Sequence, residues 1–392
     1  MAGLNETPKG DRVHIAFFGL RNAGKSTLVN RLTGQDVAIV SDVAGTTTDP
    51  VSKAMEILPL GPCLVTDTAG LDDEGPLGEM RVKKSLDVLA TTDIAVWVED
   101  GGLGRARSPS GPEGGRLGEA TLPVYDRFLA ACRARDIAVL YYRRGDDVEA
   151  FRRELAAVRL ADAPRPLVGD LVSAGDVVVC VCPIDESAPK GRLILPQQQV
   201  VRELLDAGAA ALVCQPPQLA DLLVRTAGVK FVITDSQAFK AVAAVVPPEI
   251  PLTSFSIVFA RAKGDLAAYC AGAAALATLK DGDRVLISEG CTHHRQCNDI
   301  DTVKLPKWIS AKTGKKLAFE WTSGNAFPED LSPYALVVHC GGCMLTRRAV
   351  QARIARCREA CVPITNYGVC IAACNGITAS PDTCMVARVG AI

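Results

Sequence analysis

Residues 19–26 read Gly-Leu-Arg-Asn-Ala-Gly-Lys-Ser and fit the pattern G-x-x-x-x-G-K-S in full. An apolar run at 13–18 precedes them and predicts a buried strand, and the spacing of apolar residues at 25–32 predicts a helix. A loop between such a strand and helix wraps phosphate groups with its backbone N–H groups. We predict Lys25 on the β- and γ-phosphates, Ser26 on Mg²⁺, and further nucleotide contacts from Gly19, Asn22, Ala23, Gly24 and Thr27.

Two further motifs follow in the order of a nucleotide switch domain. Residues 67–70 read Asp-Thr-Ala-Gly after an apolar run, so Asp67 is expected to hold Mg²⁺ through water and Gly70 to admit the γ-phosphate. Between the two motifs lies Gly-Thr-Thr-Thr-Asp at 45–49, from which Thr47 is expected to close on the metal. In this order behind a phosphate loop, the motifs indicate a GTPase-type switch domain, with Lys25 and Thr47 as catalytic candidates. Leu71 cannot orient the attacking water, so slow hydrolysis is expected.

The base-recognition loop departs from the usual Asn-Lys-x-Asp. After the strand predicted at 137–142, the chain reads Arg143-Arg144-Gly145-Asp146. Asp146 is retained as the residue that would contact guanine, whereas the Asn is replaced. A helix predicted at 148–160 takes up most of the chain before Pro166, and little length remains for a last strand. Phosphate binding is therefore the stronger prediction, and guanine specificity stays open.

The rest of the chain alternates predicted strands and helices, which indicates α/β folds with parallel sheets. The proline-rich segment Ala163-Pro-Arg-Pro166 marks a first boundary, and a second lies before Asp265. We expect three domains, at 1–163, 164–264 and 265–392. The first is a P-loop GTPase domain with a mainly parallel sheet, the second a smaller α/β domain, and the third an α/β domain that carries the cysteine and histidine motifs described below.

Composition narrows the class of protein. The 392 residues contain 43 Lys and Arg against 44 Asp and Glu, a net charge of −1, which argues against a protein that binds nucleic acid through bulk charge. No apolar run has the length of a membrane span, and the polar first twelve residues show no signal-peptide pattern. We therefore expect a cytoplasmic protein that binds neither nucleic acid nor membrane. Fifteen cysteines in such a compartment favour metal ligation or buried thiols over disulfides.

Cysteine and histidine converge in the last third of the chain. Cys291-Thr-His293 follows a strand predicted at 284–288, and His339-Cys340-Gly-Gly-Cys343 follows one at 336–338. Three thiolates at the ends of two strands suit a [4Fe–4S] cluster, with a histidine or an exchangeable ligand on the fourth iron. Zinc is the rival, because three cysteines and one histidine form a common structural zinc site. The candidate ligands are Cys291, His293, His339, Cys340 and Cys343.

Taken together, these features resemble two known groups. The order of the GTPase motifs is similar to that of Era- and TrmE-like GTPases. In the TrmE group an Asn at the place of Asn22 helps to bind K⁺, which supplies charge at the transition state, so this resemblance implies that Asn22 is a third catalytic residue. The whole chain resembles the HydF family, the maturation GTPases of [FeFe]-hydrogenase. The stretches that carry this resemblance include Glu289-Gly-Cys-Thr-His-His-Arg-Gln-Cys297, His339-Cys-Gly-Gly-Cys-Met344 and Pro363-Ile-Thr-Asn-Tyr-Gly368.

The resemblance to HydF implies a function and partners. Such a protein binds GTP or GDP with Mg²⁺ and a [4Fe–4S] cluster, and its middle domain forms a homodimer. It receives a diiron precursor assembled with two radical-SAM maturases and transfers the diiron unit to apo-[FeFe]-hydrogenase. Two alternatives stay open. One is an Era- or TrmE-like RNA- or ribosome-associated GTPase with a structural metal site, and the other is a redox enzyme that uses the cluster under control of the GTPase domain.

Overall fold

The structure is a computed structural model. It describes residues 7–34, 51–58, 60–72, 75–100, 122–158, 165–184, 193–290, 300–324, 326–382 and 384–388. The contacts within the chain divide it into two compact units, Met1–Ala163 and Pro164–Ile392. Each unit is described by itself.

The first unit is built on a five-stranded sheet. Its strands are β1 Val13–Phe18, β2 Val51–Ile57, β3 Gly61–Asp67, β4 Ile94–Glu99 and β5 Ala138–Arg143, and its helices are α1 Lys25–Thr33, α2 Gly75–Asp87, α3 Leu122–Arg133 and α4 Val148–Ala156. The strand order is β2-β3-β1-β4-β5, and only the edge strand β2 runs antiparallel to its neighbour. This sheet confirms the predicted P-loop GTPase domain with a mainly parallel sheet.

Strand β1 is apolar on both faces because it lies in the middle of this sheet. Ile15 and Phe17 pack in one hydrophobic cluster with residues of α1 and α4, and Phe18 packs in the cluster on the opposite face with Trp97 and Phe128. A strand that is buried on both faces has a continuous apolar sequence rather than an alternating one. Because β1 is buried on both faces, it fixes the position at which the loop 19–24 begins.

The apolar run before Asp67 predicts a strand at 57–66 that Pro59 and Pro62 interrupt, and this prediction is wrong in one respect. Residues 51–67 form the antiparallel hairpin β2–β3, in which Ile57 ends the first strand and pairs with Gly61 at the start of the second. Gly61 has a φ of 81°, in the left-handed region that turns favour and that glycine adopts without strain. A turn therefore separates Ile57 from the strand that begins at Gly61, so the predicted strand belongs to two strands of a hairpin.

The second unit contains two sheets. In chain order its strands are β6 Val177–Val181, β7 Ala210–Cys214, β8 Val229–Thr234, β9 Leu252–Ser254, β10 Arg284–Ser288, β11 Ala318–Thr322, β12 Leu336–His339, β13 Ile364–Asn366, β14 Ile377–Ala379 and β15 Val386–Arg388. One sheet has the order β14-β15-β9-β8-β6-β7, and the other has the order β11-β10-β12-β13 with all its strands parallel.

In the described part of the second unit, eight helices accompany these sheets: α5 Leu195–Asp206, α6 Leu219–Arg225, α7 Phe239–Val245, α8 Phe255–Lys263, α9 Leu266–Ala274, α10 Leu305–Thr313, α11 Arg347–Glu359 and α12 Tyr367–Cys374. Contact between α9 and β13 is very close, since a Cβ on Gly272 would lie 1.9 Å from the carbonyl oxygen of Ile364. One hydrophobic core extends from Val168 to Cys384 and includes residues of both sheets. The boundary expected between 264 and 265 falls between α8 and α9, inside this shared core.

The last strands return to the sheet of the middle segment. β15 pairs antiparallel with β9, and the Thr253 hydroxyl donates to the carbonyl oxygen of Cys384 over 2.6 Å. The spacing of four residues between Cys357 and Cys361 predicts that both lie on one helix. This prediction is wrong, because α11 ends at Glu359 and Cys361 takes a left-handed φ of 55° beyond it. None of the helices in the described ranges combines the length and the apolar character needed to cross a bilayer.

Candidate functional site

The loop between β1 and α1 has the backbone of a phosphate-binding loop. Asn22 and Gly24 have φ values of 58° and 93°, and asparagine is one of the few residues other than glycine that adopt the left-handed region readily. Gly19 allows a close approach, since a Cβ there would lie 2.3 Å from the carbonyl oxygen of Val98. Successive N–H groups in such a loop form a concave surface that attracts anions.

Lys25 begins α1, and its side chain is folded back over this loop. The ammonium donates to the carbonyl oxygens of Gly19 at 3.2 Å and Leu20 at 2.7 Å, and the residue is buried. These two bonds hold the ammonium group of Lys25 over the loop in which the motif predicts the phosphates to bind. Ala23 is buried beneath the loop, whereas Thr27 lies in the first turn of α1.

Ser26 and Asp67 meet between α1 and the end of β3. The Ser26 hydroxyl donates to Oδ2 of Asp67 at 2.6 Å. Oδ1 of Asp67 is buried and has no hydrogen-bond partner among the described residues. Burial raises the pKa of Asp67, and the bond from Ser26 and the charge of Lys25 oppose this shift. A hydroxyl beside a carboxylate with an unpaired buried oxygen fits a hard cation such as Mg²⁺ or its bound water. Thr47, the third predicted Mg²⁺ residue, lies outside the described residues.

The segment after β3 lies directly on the phosphate loop. A Cβ on Gly70 would be 2.6 Å from Cγ of Arg21 and 2.9 Å from its backbone nitrogen. The N–H of Leu71 donates to the carbonyl oxygen of Gly19 at 3.2 Å, and Leu71 packs in the hydrophobic cluster of Phe18. Oδ1 of Asp72 accepts the backbone N–H of Arg21 at 2.7 Å. A carboxylate thus engages a loop amide, a contact that the motifs did not predict.

The base-recognition loop lies beside the same loop. The side chain of Arg144 packs on Gly24, where a Cβ would meet its Cδ at 3.4 Å, and its guanidinium lies 3.6 Å from Asp100. Oδ2 of Asp146 accepts the N–H of Arg143 at 3.1 Å. Asp146 therefore closes its own turn at the edge of the predicted nucleotide site.

In the second unit, the ends of β10 and β12 lie side by side. Ser288 is the register partner of His339, and the N–H of Cys340 donates to the carbonyl oxygen of Ser288 at 2.9 Å. The turn that begins at Cys340 thus starts where the two strands end together. Cys291 and His293, the predicted ligands that follow β10, lie outside the described residues.

Cys340 has the surroundings of a thiolate ligand. Its Sγ accepts the N–H of Gly290 at 3.0 Å and that of Gly342 at 3.3 Å. Burial raises the pKa of Cys340, while these two bonds and the charge of Arg353 act against the shift. Hydrogen bonds from backbone N–H groups to sulfur are among the features that tune iron–sulfur clusters. The donor set fits a cluster, with Cys340 and Cys343 as its described members. Within the described residues, no group of three or more His, Cys, Asp or Glu side chains is close enough to hold a metal ion.

His339 has protein partners on both ring nitrogens. Nδ1 donates to the carbonyl oxygen of Cys340 at 2.7 Å, and Nε2 accepts from Nη1 of Arg353 at 3.0 Å. Burial and the charge of Arg353 lower the pKa of His339 to about 3, so the ring is neutral. Coordination of iron by Nε2 would require this nitrogen to leave Arg353.

Three further side chains hold the Cys340–Cys343 turn, and sequence reasoning assigned none of them to the site. The ammonium of Lys263, at the end of α8, donates to the carbonyl oxygens of Cys343 at 3.2 Å and Leu345 at 2.9 Å. Nδ2 of Asn366 donates to the carbonyl oxygen of Cys340 at 3.2 Å. The third is Arg353. Of these three residues, only Asn366 could have been noticed in the sequence, because it lies in one of the stretches that carry the family resemblance.

Sequence models of known protein families match three consecutive segments. Residues 14–117 match "50S ribosome-binding GTPase". Residues 167–264 match "Hydrogen maturase F dimerization domain", and residues 267–380 match "Hydrogen maturase F tetramerization domain". The two hydrogen maturase matches together cover most of the second unit.

The chain belongs to the HydF family.

Curated relatives of this HydF-family chain match its GTPase segment. A tRNA modification GTPase MnmE of Paramagnetospirillum magneticum is 34% identical over 169 residues, which are 40% of this chain and 37% of the relative. A GTPase Der of Xylella fastidiosa is 45% identical over 98 residues, 24% of this chain and 21% of the relative. The chain thus spans well under half the length of these relatives.

Solved structures are also similar to parts of this HydF-family chain. Era of Aquifex aeolicus bound to GDP and AlF₄⁻ has a TM-score of 0.26 and 15% identity, over 81% of this chain and 94% of Era. Toc33 of Arabidopsis thaliana, a dimerization-deficient mutant, has a TM-score of 0.23 and 19% identity, over 34% of this chain and 71% of Toc33.

Proposed function

We propose that this chain is a maturation GTPase of [FeFe]-hydrogenase. It holds a [4Fe–4S] cluster through Cys291, Cys340 and Cys343, and it carries a diiron precursor that it transfers to apo-hydrogenase. The observation that supports this proposal best is the pair of N–H groups, from Gly290 and Gly342, on the Cys340 sulfur at the junction of β10 and β12. The family matches over 167–264 and 267–380 support the identity of the pathway.

The cluster would supply an iron centre beside which the diiron cargo is held, and the described residues shape its surroundings. Gly290 and Gly342 stabilise the Cys340 thiolate, and Lys263 and Asn366 fix the carbonyl groups of the turn. The fourth position stays a prediction for His293 or His339, and the bond from Arg353 to Nε2 competes with ligation by His339.

In the first unit, the GTPase site would act as the switch. Lys25, Ser26 and Asp67 hold the phosphates and Mg²⁺, Thr47 closes on the metal, and Asn22 helps to bind K⁺. Hydrolysis is slow because Leu71 packs in the hydrophobic cluster of Phe18 and offers no group that orients water. A nucleotide can bias the carrier only if it binds two conformations with different affinity. The GTPase would thus time loading or release of the diiron unit in a homodimer, with two radical-SAM maturases as donors.

The first experiment tests the cluster. Anaerobically purified protein is analysed for iron and acid-labile sulfide, and the reduced sample is examined by EPR. We expect a [4Fe–4S] signal in wild type and loss of most of the iron in Cys340→Ser, since a hard oxygen replaces thiolate poorly. Cys361→Ser is the matched control, because Cys361 is exposed and lies outside the turn. Stoichiometric zinc without sulfide would overturn the cluster proposal and favour a structural metal site.

The second experiment tests transfer. Protein loaded by co-expression with the two radical-SAM maturases is mixed with purified apo-hydrogenase, and hydrogen evolution is measured. Wild type and Cys361→Ser should activate the hydrogenase, whereas Cys340→Ser should not. If loaded wild type gives no activity above apo-hydrogenase alone while an established HydF protein does, the carrier function is wrong for this chain.

A further inference from the structure

Arg353 is a buried guanidinium whose described hydrogen-bond partners are all uncharged. It lies on α11 and is 5% exposed. Nη1 donates to Oγ of Ser288 at 3.2 Å and to Nε2 of His339 at 3.0 Å, and Nη2 donates to the carbonyl oxygen of Gly324 at 2.6 Å. The ring of Phe327 covers it, with the centroid 5.1 Å from Cζ. Because burying a cation whose described hydrogen-bond partners are all neutral is unfavourable, we expect a negative charge close to Arg353.

The position of Arg353 indicates where that negative charge belongs. Ser288 is the last residue of β10 and His339 the last residue of β12, so the guanidinium joins the two strand ends from which the cysteine motifs continue. Cys340 follows His339 directly, and its sulfur and that of Cys343 are the anion-forming groups of the described turn. A second cation, Lys263, binds the carbonyl groups on the other side of the same turn. A cluster held by thiolates carries net negative charge, which grows when the cluster takes up an electron.

We propose that Arg353 is the countercharge of the cluster and the residue that positions His339 away from the iron. This inference rests on the cluster function proposed above. The guanidinium donates to Nε2, so His339 supports the turn through its Nδ1–H and leaves the fourth iron position to another ligand or to the cargo. Because a nearby cation stabilises the reduced cluster more than the oxidised one, Arg353 raises the reduction potential.

The test compares Arg353→Met, which removes the charge, with Arg353→Lys, which keeps it. Arg356→Met is the matched control, because Arg356 lies on the same helix and over the same Phe327 ring, at 5.2 Å, but its guanidinium donates to the carbonyl oxygen of Pro328 instead of to His339 or Ser288. Each protein is reconstituted anaerobically, its iron and sulfide are determined, and an EPR-monitored titration with dithionite gives the potential. Circular dichroism establishes that each variant is folded.

We expect Arg353→Met to titrate at a more negative potential than wild type, and Arg353→Lys and Arg356→Met to stay close to wild type. The proposal that Arg353 is the countercharge would be overturned if Arg353→Met had the reduction potential of wild type. It would also be overturned if the reduction potential of Arg353→Lys fell as far as that of Arg353→Met. If Arg353→Met takes up no iron, iron content becomes the measurement: retention in Arg353→Lys supports the proposal, and loss there contradicts it. Wild type without iron and sulfide would instead refute the cluster itself.

The positioning of His339 has its own measurement. Pulsed EPR detects the coupling of a directly bound imidazole nitrogen to the cluster. We expect His339→Ala to show the same nitrogen couplings as wild type, since Nε2 is held by Arg353. Disappearance of a strong nitrogen coupling in His339→Ala would identify His339 as an iron ligand and overturn this half of the proposal.

Discussion

Asp72 shows how one carboxylate can oppose nucleotide binding. It accepts the backbone N–H of Arg21 in the phosphate loop, and its Oδ2 lies 3.6 Å from Nε of the same arginine. A negative charge on this loop repels incoming phosphates. We expect Asp72→Asn to bind nucleotide about 2- to 10-fold more tightly, the range of one exposed hydrogen bond or ion pair, with the larger gain for GTP.

Isothermal titration calorimetry with GTP analogues and GDP measures this effect. Asp87→Asn is the control, since Asp87 is an exposed residue at the end of α2. Equal affinity in Asp72→Asn and wild type would show that the contact does not compete with nucleotide.

His339 makes the stability of the apoprotein depend on pH. In the folded state its pKa is lowered to about 3, whereas the unfolded value is 6.5. Below pH 6.5 the unfolded chain binds a proton that the folded chain does not, so the free energy of unfolding falls as the pH falls toward 3. The slope is at most about 1.4 kcal/mol per pH unit. Urea unfolding of wild type and His339→Phe across this range should give curves that diverge, and parallel curves would contradict the prediction.

Single residues were predictable where a motif fixed their chemistry. Lys25, Ser26, Asp67 and Cys340 belong to short patterns, and the structure gives each of them polar partners that suit the predicted ligand. Asp72, Lys263 and Arg353 are isolated charges with no local pattern. Their partners lie far away in the chain, as with the Lys263 bond to Leu345, and only the folded chain reveals them.

The turn Cys340–Cys343 is the element on which the proposed cluster depends. Gly342 has a φ of 72°, and a Cβ there would lie 3.0 Å from Cγ2 of Val350. We expect Gly342→Ala to lower the free energy of unfolding by about 1–2 kcal/mol because a left-handed alanine is strained, and to release iron faster because its N–H shifts from the Cys340 sulfur.

Gly314→Ala is the matched control for this turn. Gly314 has a similar φ of 67° at the end of α10, and nothing lies within 4 Å of its Cβ position. Chemical denaturation and iron retention against a chelator are measured for both variants. If both alanine variants retain iron equally, the turn geometry does not support the cluster.

Elements were predictable in proportion to their length and apolar character. β1 and β10 have the predicted bounds because each is a continuous apolar run in the middle of a parallel sheet. β13, β14 and β15 have three residues each, which is too few to show a periodicity in the sequence. They form because each of them pairs with a neighbouring strand of its sheet. Tertiary pairing, not local sequence, decides such strands.

At the scale of the whole molecule, β7 is an open edge of the six-stranded sheet. Among the described strands it pairs with β6 alone, and Val213 on it is 47% exposed. The family matches indicate oligomerisation domains, and an exposed apolar edge strand is a site at which a second chain can pair. We expect Val213→Lys to weaken self-association, measured by analytical ultracentrifugation.

The same substitution elsewhere serves as the control for this edge. Val224 on α6 is 88% exposed, so Val224→Lys adds the same charge to the same unit without touching β7. If Val224→Lys dissociated the oligomer and Val213→Lys did not, the interface would lie on the face that carries α6 instead of on β7.

The return of β14 and β15 to β9 has a consequence for synthesis of the chain on the ribosome. The bond from Thr253 to Cys384 joins residues 131 positions apart. During translation β9 leaves the exit tunnel before its partner strand β15. The edge of β9 that pairs with β15 therefore stays unpaired until residues 377–388 have also left the tunnel. Contacts of such long sequence separation slow folding. The cysteine turn is therefore synthesised before its surroundings are complete, and uptake of iron by the proposed cluster site would compete in time with closure of the sheet in each newly made molecule.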